Sequence, residues 1–145
     1  MKVVLLLAVI MAFGLLQAHG NLLDFHKMIK KATGKEAASS YGFYGCYCGW
    51  KGRGTPKDAT DRCCAAHDCC YHKLEKQGCK TKSLKYKADY RGNQIICEKQ
   101  GSSCSVQVCE CDRVAALCFA RNLSTYNKKY QFYNNLLCKG KGPQC

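Results

Sequence analysis

The string Cys63-Cys64-Ala65-Ala66-His67-Asp68-Cys69-Cys70-Tyr71 sets an imidazole beside a carboxylate inside a run of cysteines. An imidazole titrates near neutral pH and can take a proton from water. A carboxylate suits a hard cation. Neighbouring residues of a helix point roughly 100° apart, so His67 and Asp68 cannot pair with each other, and each needs a partner from elsewhere. For His67 the chain offers Asp112, bracketed by Cys111 and Cys118. For Asp68 it offers the stretch from Tyr41 to Pro56, which holds Gly42, Gly45, Gly49, Gly52 and Gly54. Such a backbone can fold its carbonyls toward a cation or its amides toward an anion.

Two helices must carry these groups. One is expected from Lys57 to about Lys76, started by Asp58, Thr60 or Asp61 as a cap and closed by Gln77-Gly78. The other is expected from about Val106 to Asn122. Ahead of both, Leu22, Phe25, Met28, Ile29 and Ala32 recur at helical spacing, with Lys27, Lys30 and Lys31 on the opposite face and Gly34 as a stop. Residues 80–97 read as short strands, a hairpin turning at Arg91-Gly92-Asn93. The tail from Tyr126 to Cys145 is loop-rich, basic and pinned by Cys138 and Cys145.

The chain has 145 residues, 14 Cys, 23 Lys plus Arg and 10 Asp plus Glu. That length holds one domain. Dense, even cysteine points to an oxidising compartment and a disulfide scaffold. The aromatic content excludes a disordered basic tail, and no repeat suggests a solenoid. Lys2, an apolar run from Val3 to Leu16, and small residues Ala18 and Gly20 read as a secretory leader over 1–20, cleaved after Gly20. The run is too short for a spanning anchor. The mature domain, 21–145, is expected to be secreted, extracellular and peripheral at membrane surfaces. It keeps all the cysteines and nearly all of the positive charge.

Three segments together, Tyr44-Gly-Cys-Tyr-Cys-Gly49, Asp61-Arg-Cys-Cys-Ala-Ala-His-Asp-Cys-Cys70 and Cys109-Glu-Cys-Asp112, resemble the secreted phospholipase A2 family. The Cys-terminated tail resembles its group II branch. Similarity to the mammalian group IIA members runs from the leader to the C-terminus. The resemblance implies a mainly α, disulfide-rich fold: two long antiparallel helices, an N-terminal amphipathic helix, a calcium loop and a short β-hairpin. From roughly 135,000 ways to pair the cysteines, it implies Cys46–Cys138, Cys48–Cys64, Cys63–Cys118, Cys69–Cys145, Cys70–Cys111, Cys79–Cys104 and Cys97–Cys109. Moving seven residues along the first helix, from Cys63 to Cys70, moves the partner seven back along the second. That fits antiparallel helices with each pair of cysteines on one face.

The implied activity is Ca²⁺-dependent hydrolysis of the sn-2 ester of glycerophospholipids. His67 would activate water, Asp112 would hold its ring, and Tyr71 and Tyr86 would hydrogen-bond Asp112. Asp68 and the carbonyls of Tyr47, Gly49 and Lys51 would bind Ca²⁺, with the Gly49 amide helping at the oxyanion. Leu22, Leu23, Phe25 and Ile29 would line the acyl channel. Trp50, the only Trp, reads as an interfacial anchor on an exposed loop tip, or as a buried plug. The charge favours phospholipid membranes, anionic ones and bacterial envelopes above all. It also allows heparan sulfate proteoglycans to bind through Lys128, Lys129, Lys139, Lys141 and the lysines of 80–87. No groove-reading motif suggests nucleic acid. Asn122-Leu123-Ser124 is a glycosylation triplet.

One residue departs from the family pattern. The loop reads Gly49-Trp50-Lys51-Gly52-Arg53-Gly54, with Lys51 where the family usually has Gly. A carbonyl survives that change, but a side chain is strained if the position needs positive φ. The alternative reading is therefore a catalytically weakened relative, acting by membrane, receptor or heparan sulfate binding. A disulfide-rich antimicrobial module shares the charge but does not need the pairing of His67 with Asp112. The expected outcome is weakened Ca²⁺ affinity, restored in Lys51→Gly. Calorimetric titration checks it, and equal affinities would reject it.

Overall fold

The structure is a computed structural model that describes residues 20–49 and 52–145, with Gly20 and Asn21 described by backbone alone. The leader before Gly20, Trp50 and Lys51 lie outside the described residues. Four α-helices and one hairpin are built in the order α1 (Gly20–Thr33), α2 (Ala37–Tyr41), α3 (Ala59–Lys76), β1 (Ala88–Arg91), β2 (Gln94–Cys97) and α4 (Ser103–Arg121). Three single-turn 3₁₀ segments follow, Leu123–Thr125, Lys128–Tyr130 and Asn135–Leu137.

The helix starts follow from capping. Asp58 caps α3, its side chain accepting from the Asp61 amide, so Thr60 and Asp61 lie inside the helix and not at its cap. Ser102 caps α4 by accepting from the Ser105 amide at 3.1 Å. That cap brings the start of α4 forward from the expected 106 to Ser103. The start of α3 shifts from 57 to 59 for the same reason. Helix α2, which patterning missed, is a single turn that buries Ala37 and Tyr41.

Helices α3 and α4 run antiparallel under two bolts, Cys63–Cys118 and Cys70–Cys111. The other five bridges are Cys46–Cys138, Cys48–Cys64, Cys69–Cys145, Cys79–Cys104 and Cys97–Cys109. This pairing is the one the resemblance implies. Each bridge restricts the unfolded chain and is typically worth about 2–4 kcal/mol. Among the described residues no cysteine is free.

Helix α1 lays its apolar stripe on this pair: Phe25, Met28 and Ile29 are buried with Ala115, Ala116 and Phe119 of α4. The hairpin is antiparallel in the register Ala88↔Cys97 to Arg91↔Gln94, turning at Gly92, whose φ is +60°. Its inner residues Ile95 and Cys97 are buried, and Gln94 and Ile96 face out. Lys27 and Lys31 each stand 5.8 Å from the Tyr90 ring and tie α1 to the hairpin by cation–π contact. No described helix is long and apolar enough to cross a membrane.

Candidate active site

His67 sits on α3 midway between Cys63 and Cys70, and Asp112 follows Cys111 on α4. The two bolts therefore fix both side chains in one place. His67 Nε2 lies 2.6 Å from Asp112 Oδ1. Two hydroxyls also reach this carboxylate: Tyr71 donates to Oδ1 and Tyr86 to Oδ2, each at 2.6 Å. Asp112 is 0% exposed. A buried carboxylate is tolerable only when donors surround it, and here three converge.

An acceptor-only carboxylate at Nε2 makes that nitrogen the N–H donor. The Nδ1 lone pair is then left to accept a proton. Among the described residues Nδ1 has no hydrogen-bond partner. Two aromatic rings pack on the imidazole: Phe25 of α1 stacks on it at 4.3 Å and 13°, and the Tyr71 ring stands 4.2 Å away at a tilt of 47°. Tyr86 is fixed in turn by α1, because Asp24 accepts its backbone amide at 3.3 Å. Burial, followed by the field of Asp112, pushes the Tyr86 hydroxyl far above the usual tyrosine range, so it remains a donor.

Asp68 points to other work. Among the described residues no side chain hydrogen-bonds it. The residue is exposed to solvent, yet desolvation by the chain around its carboxyl pushes it up to about 6, against the opposing pull of His67 and Lys82. A desolvated carboxylate without a partner fits a cation. The neighbouring loop fits the same purpose. Gly49 has φ +94°, and any side chain there would overlap the Gly42 carbonyl. A Cβ on Gly52 would overlap the Tyr47 ring and stand 3.1 Å from Asp68 Oδ2. Among the described residues no three His, Cys, Asp or Glu side chains are placed so that they could hold a metal ion together. A metal here would take one carboxylate plus backbone oxygens, which is the donor set of a hard cation. Tyr47 and Gly49, the residues expected to offer such carbonyls, lie in this loop; Lys51 lies outside the described residues.

Asp61 shapes this loop, a role that reading it as a possible cap had missed. It is 0% exposed and accepts the amides of Cys46, Tyr47 and Lys57, each at 2.8 Å. A Cβ on Gly45 would stand 2.5 Å from its carboxyl carbon, so Gly45 lets the loop close on it. Only the arrangement of Asp58 three residues earlier marks Asp61 as inward-facing, and that is a weak signal. Tyr47 closes the far side, its hydroxyl donating to the Gly54 carbonyl at 2.7 Å.

Of the expected channel residues, Phe25 and Ile29 are buried, Leu22 is half-buried and Leu23 is 50% exposed. The expected anchor Trp50 lies outside the described residues. Among the described residues Phe43, Phe132, Leu136 and Leu137 are exposed apolar side chains, with the Phe43 and Phe132 rings 6.3 Å apart. This fringe borders a recess lined also by Arg53 and Tyr133. At Asn122 the amide nitrogen a glycan would occupy donates to the Cys118 carbonyl at 2.8 Å.

Comparison with known proteins bears on this geometry. A family model described as Phospholipase A2 matches residues 22–131. The human protein "Phospholipase A2, membrane associated" is 68% identical over 145 residues, all of both chains. Its bovine counterpart is 64% identical over the same span. "Basic phospholipase A2 DsM-S1" of Daboia siamensis is 55% identical over 132 residues, 91% of this chain and 94% of its own.

The loop geometry yields one expected outcome. Asp61→Asn replaces one acceptor oxygen with an NH₂ that opposes backbone donors. It is expected to lower stability by about 3 kcal/mol, given charge-assisted bonds of about 1.5–3 kcal/mol each. Urea unfolding with the disulfides intact measures this, and a loss below about 1 kcal/mol would contradict the role assigned to Asp61.

Proposed function

The chain belongs to the phospholipase A2 family, and we propose on that footing that it hydrolyses the sn-2 ester of glycerophospholipids at membrane surfaces with Ca²⁺ as cofactor. The observation that carries this reading is the pairing of His67 Nε2 with Asp112 at 2.6 Å, which leaves the Nδ1 lone pair to accept a proton.

In this reading His67 accepts a proton at Nδ1 from a water that attacks the ester carbonyl, and returns it to the lysophospholipid oxygen as the ester C–O bond breaks, releasing the fatty acid. General-base help of this kind is worth about 10²–10⁴ in rate. Asp112 stabilises the imidazolium so formed, because its Oδ1 already holds the proton on Nε2. Tyr71 and Tyr86 keep that carboxylate from turning away. Phe25 restricts the ring and excludes bulk water from one face. The Gly49 amide is the donor assigned to the developing oxyanion. Asp68, with the carbonyls of Tyr47, Gly49 and Lys51, would hold Ca²⁺. A bound Ca²⁺ supplies polarisation of the ester carbonyl and charge neutralisation at the phosphate. No nucleophilic Ser is required.

Docking on lipid is supported by two surface features. The exposed fringe of Phe43, Phe132, Leu136 and Leu137 adjoins the loop through Gly42, whose carbonyl abuts Gly49. Exposed cations Lys27, Lys30, Lys31 and Arg53 favour anionic lipid, at about 1 kcal/mol each near the surface. Exposed Lys80, Lys82, Lys85, Lys87, Lys128, Lys129, Lys139 and Lys141 support a separate affinity for sulfated polysaccharide. Secretion follows from the leader in the sequence and the seven bridges.

Fatty-acid release from phosphatidylglycerol vesicles, with Ca²⁺ or with EDTA, tests the reading. Release should require Ca²⁺ and fall by about 10²–10⁴ in His67→Gln. Because the Asp68 carboxyl sits at about 6 without a cation, protons and Ca²⁺ should compete below that pH. Apparent Ca²⁺ affinity should be flat above about pH 7 and weaken up to about tenfold per unit below 6. Undiminished release in EDTA would end the cofactor assignment.

A further inference from the structure

We propose that the C-terminal strap from Cys138 to Gly142 is a positioning element for cation binding, holding the outer limb of the glycine-rich loop in its binding shape. This rests on the Ca²⁺ reading above.

The strap lies against Gly54 and Thr55, and its backbone carbonyls accept two hydrogen bonds from Thr55. The Thr55 amide donates to the Lys139 carbonyl and the Thr55 hydroxyl to the Lys141 carbonyl, each at 3.0 Å. Just upstream, the Arg53 guanidinium donates to the Asn135 carbonyl at 3.0 Å. The strap's first residue and the chain terminus three residues beyond Gly142 are both covalently anchored near the site. Cys138 bridges to Cys46, beside Tyr47, and Cys145 bridges to Cys69, beside Asp68.

The fit is made by missing side chains. A Cβ on Gly140 would stand 2.6 Å from Thr55 Oγ1. One on Gly142 would stand 2.8 Å from the Tyr47 hydroxyl and 3.3 Å from the Gly54 carbonyl, the two partners of the bond that closes the loop. One on Gly54 would stand 2.8 Å from both Lys139 N and O. Sites where a Cβ would crowd a neighbour therefore run from the strap to Gly54 and the Tyr47 hydroxyl, and from the Tyr47 ring through Gly52 to Asp68. No strap residue is a proposed ligand. Its effect is preorganisation: a loop already held in shape gives up less freedom when it takes a cation.

The test uses the full mature protein and Ca²⁺ itself. Gly142→Val wedges the Tyr47–Gly54 bond. Thr55→Val removes one fastening at an exposed site, and Thr55→Ser keeps the hydroxyl. Calorimetric titration should show the two Val variants weakened about five- to tenfold, with Thr55→Ser within about twofold of wild type. The melting temperature of Thr55→Val in EDTA should stay within about 3 °C of wild type, and its vesicle hydrolysis should recover at saturating Ca²⁺. Val variants that bind like wild type overturn the proposal. So does Thr55→Ser weakened as much as Thr55→Val, or an EDTA melting temperature that collapses in Thr55→Val, since either would mark general destabilisation. Should Gly142→Val fail to fold, the Thr55 pair decides. A wild-type protein that takes up no Ca²⁺ overturns the cofactor reading and the strap together, a result distinct from wild-type binding with unaffected variants.

Discussion

A carboxylate with no access to water is expensive unless every lone pair it presents is met. Asp112 is in that position, and three donors meet it: one imidazole nitrogen and two phenols. These contacts draw three elements to one point, since His67 and Tyr71 come from α3, Asp112 from α4, and Tyr86 from the segment ahead of the hairpin. The same contacts that make the buried charge tolerable fix which ring nitrogen of His67 carries the proton. Stability and chemistry are here one set of hydrogen bonds.

The disulfides act one level further out. Cys63–Cys118 and Cys70–Cys111 flank the His67–Asp112 contact and prevent α3 and α4 from sliding past each other. A slide of one residue would move a side chain by about 1.5 Å along the axis, more than a 2.6 Å contact could absorb. A short chain with a modest apolar core gains such rigidity from covalent staples. Asp61 then performs for the loop what Asp112 performs for the imidazole: a buried carboxylate gathers three amides and gives an irregular segment one shape. The two carboxylates that organise the site, Asp61 and Asp112, are both fully buried. Asp68, which has no such side-chain or backbone donors among the described residues, is the carboxylate proposed to hold the cation.

The sequence was informative where chemistry and spacing coincide. His67, Asp68 and Asp112 stood out because cysteines at helical spacing framed them, and the long helices followed from the same framing. The hairpin was legible from its turn at Arg91-Gly92-Asn93. Other features depend on tertiary context that periodicity does not encode. Asp61 looks like one of three acidic or hydroxyl residues at a helix start, and only the folded loop shows that Asp58 is the cap. Helix α2 is too short to show a period. The start of α4 was misplaced because Ser102 and Ser103 are poor markers in a polar stretch. The apolar fringe of Phe43, Phe132 and Leu136 joins residues about 90 apart, and no local pattern links them.

The central claim is that Asp112 sets the His67 tautomer so that Nδ1 is the base. Nitrogen-15 NMR of the histidine rings at pH 8, with Asp112→Asn as reference, tests it most directly. The account predicts a protonated Nε2 and an unprotonated Nδ1 for His67 in the wild-type protein, with that preference lost in the variant. A His67 ring carrying its proton on Nδ1, or the same tautomer with and without the Asp112 carboxylate, would contradict it.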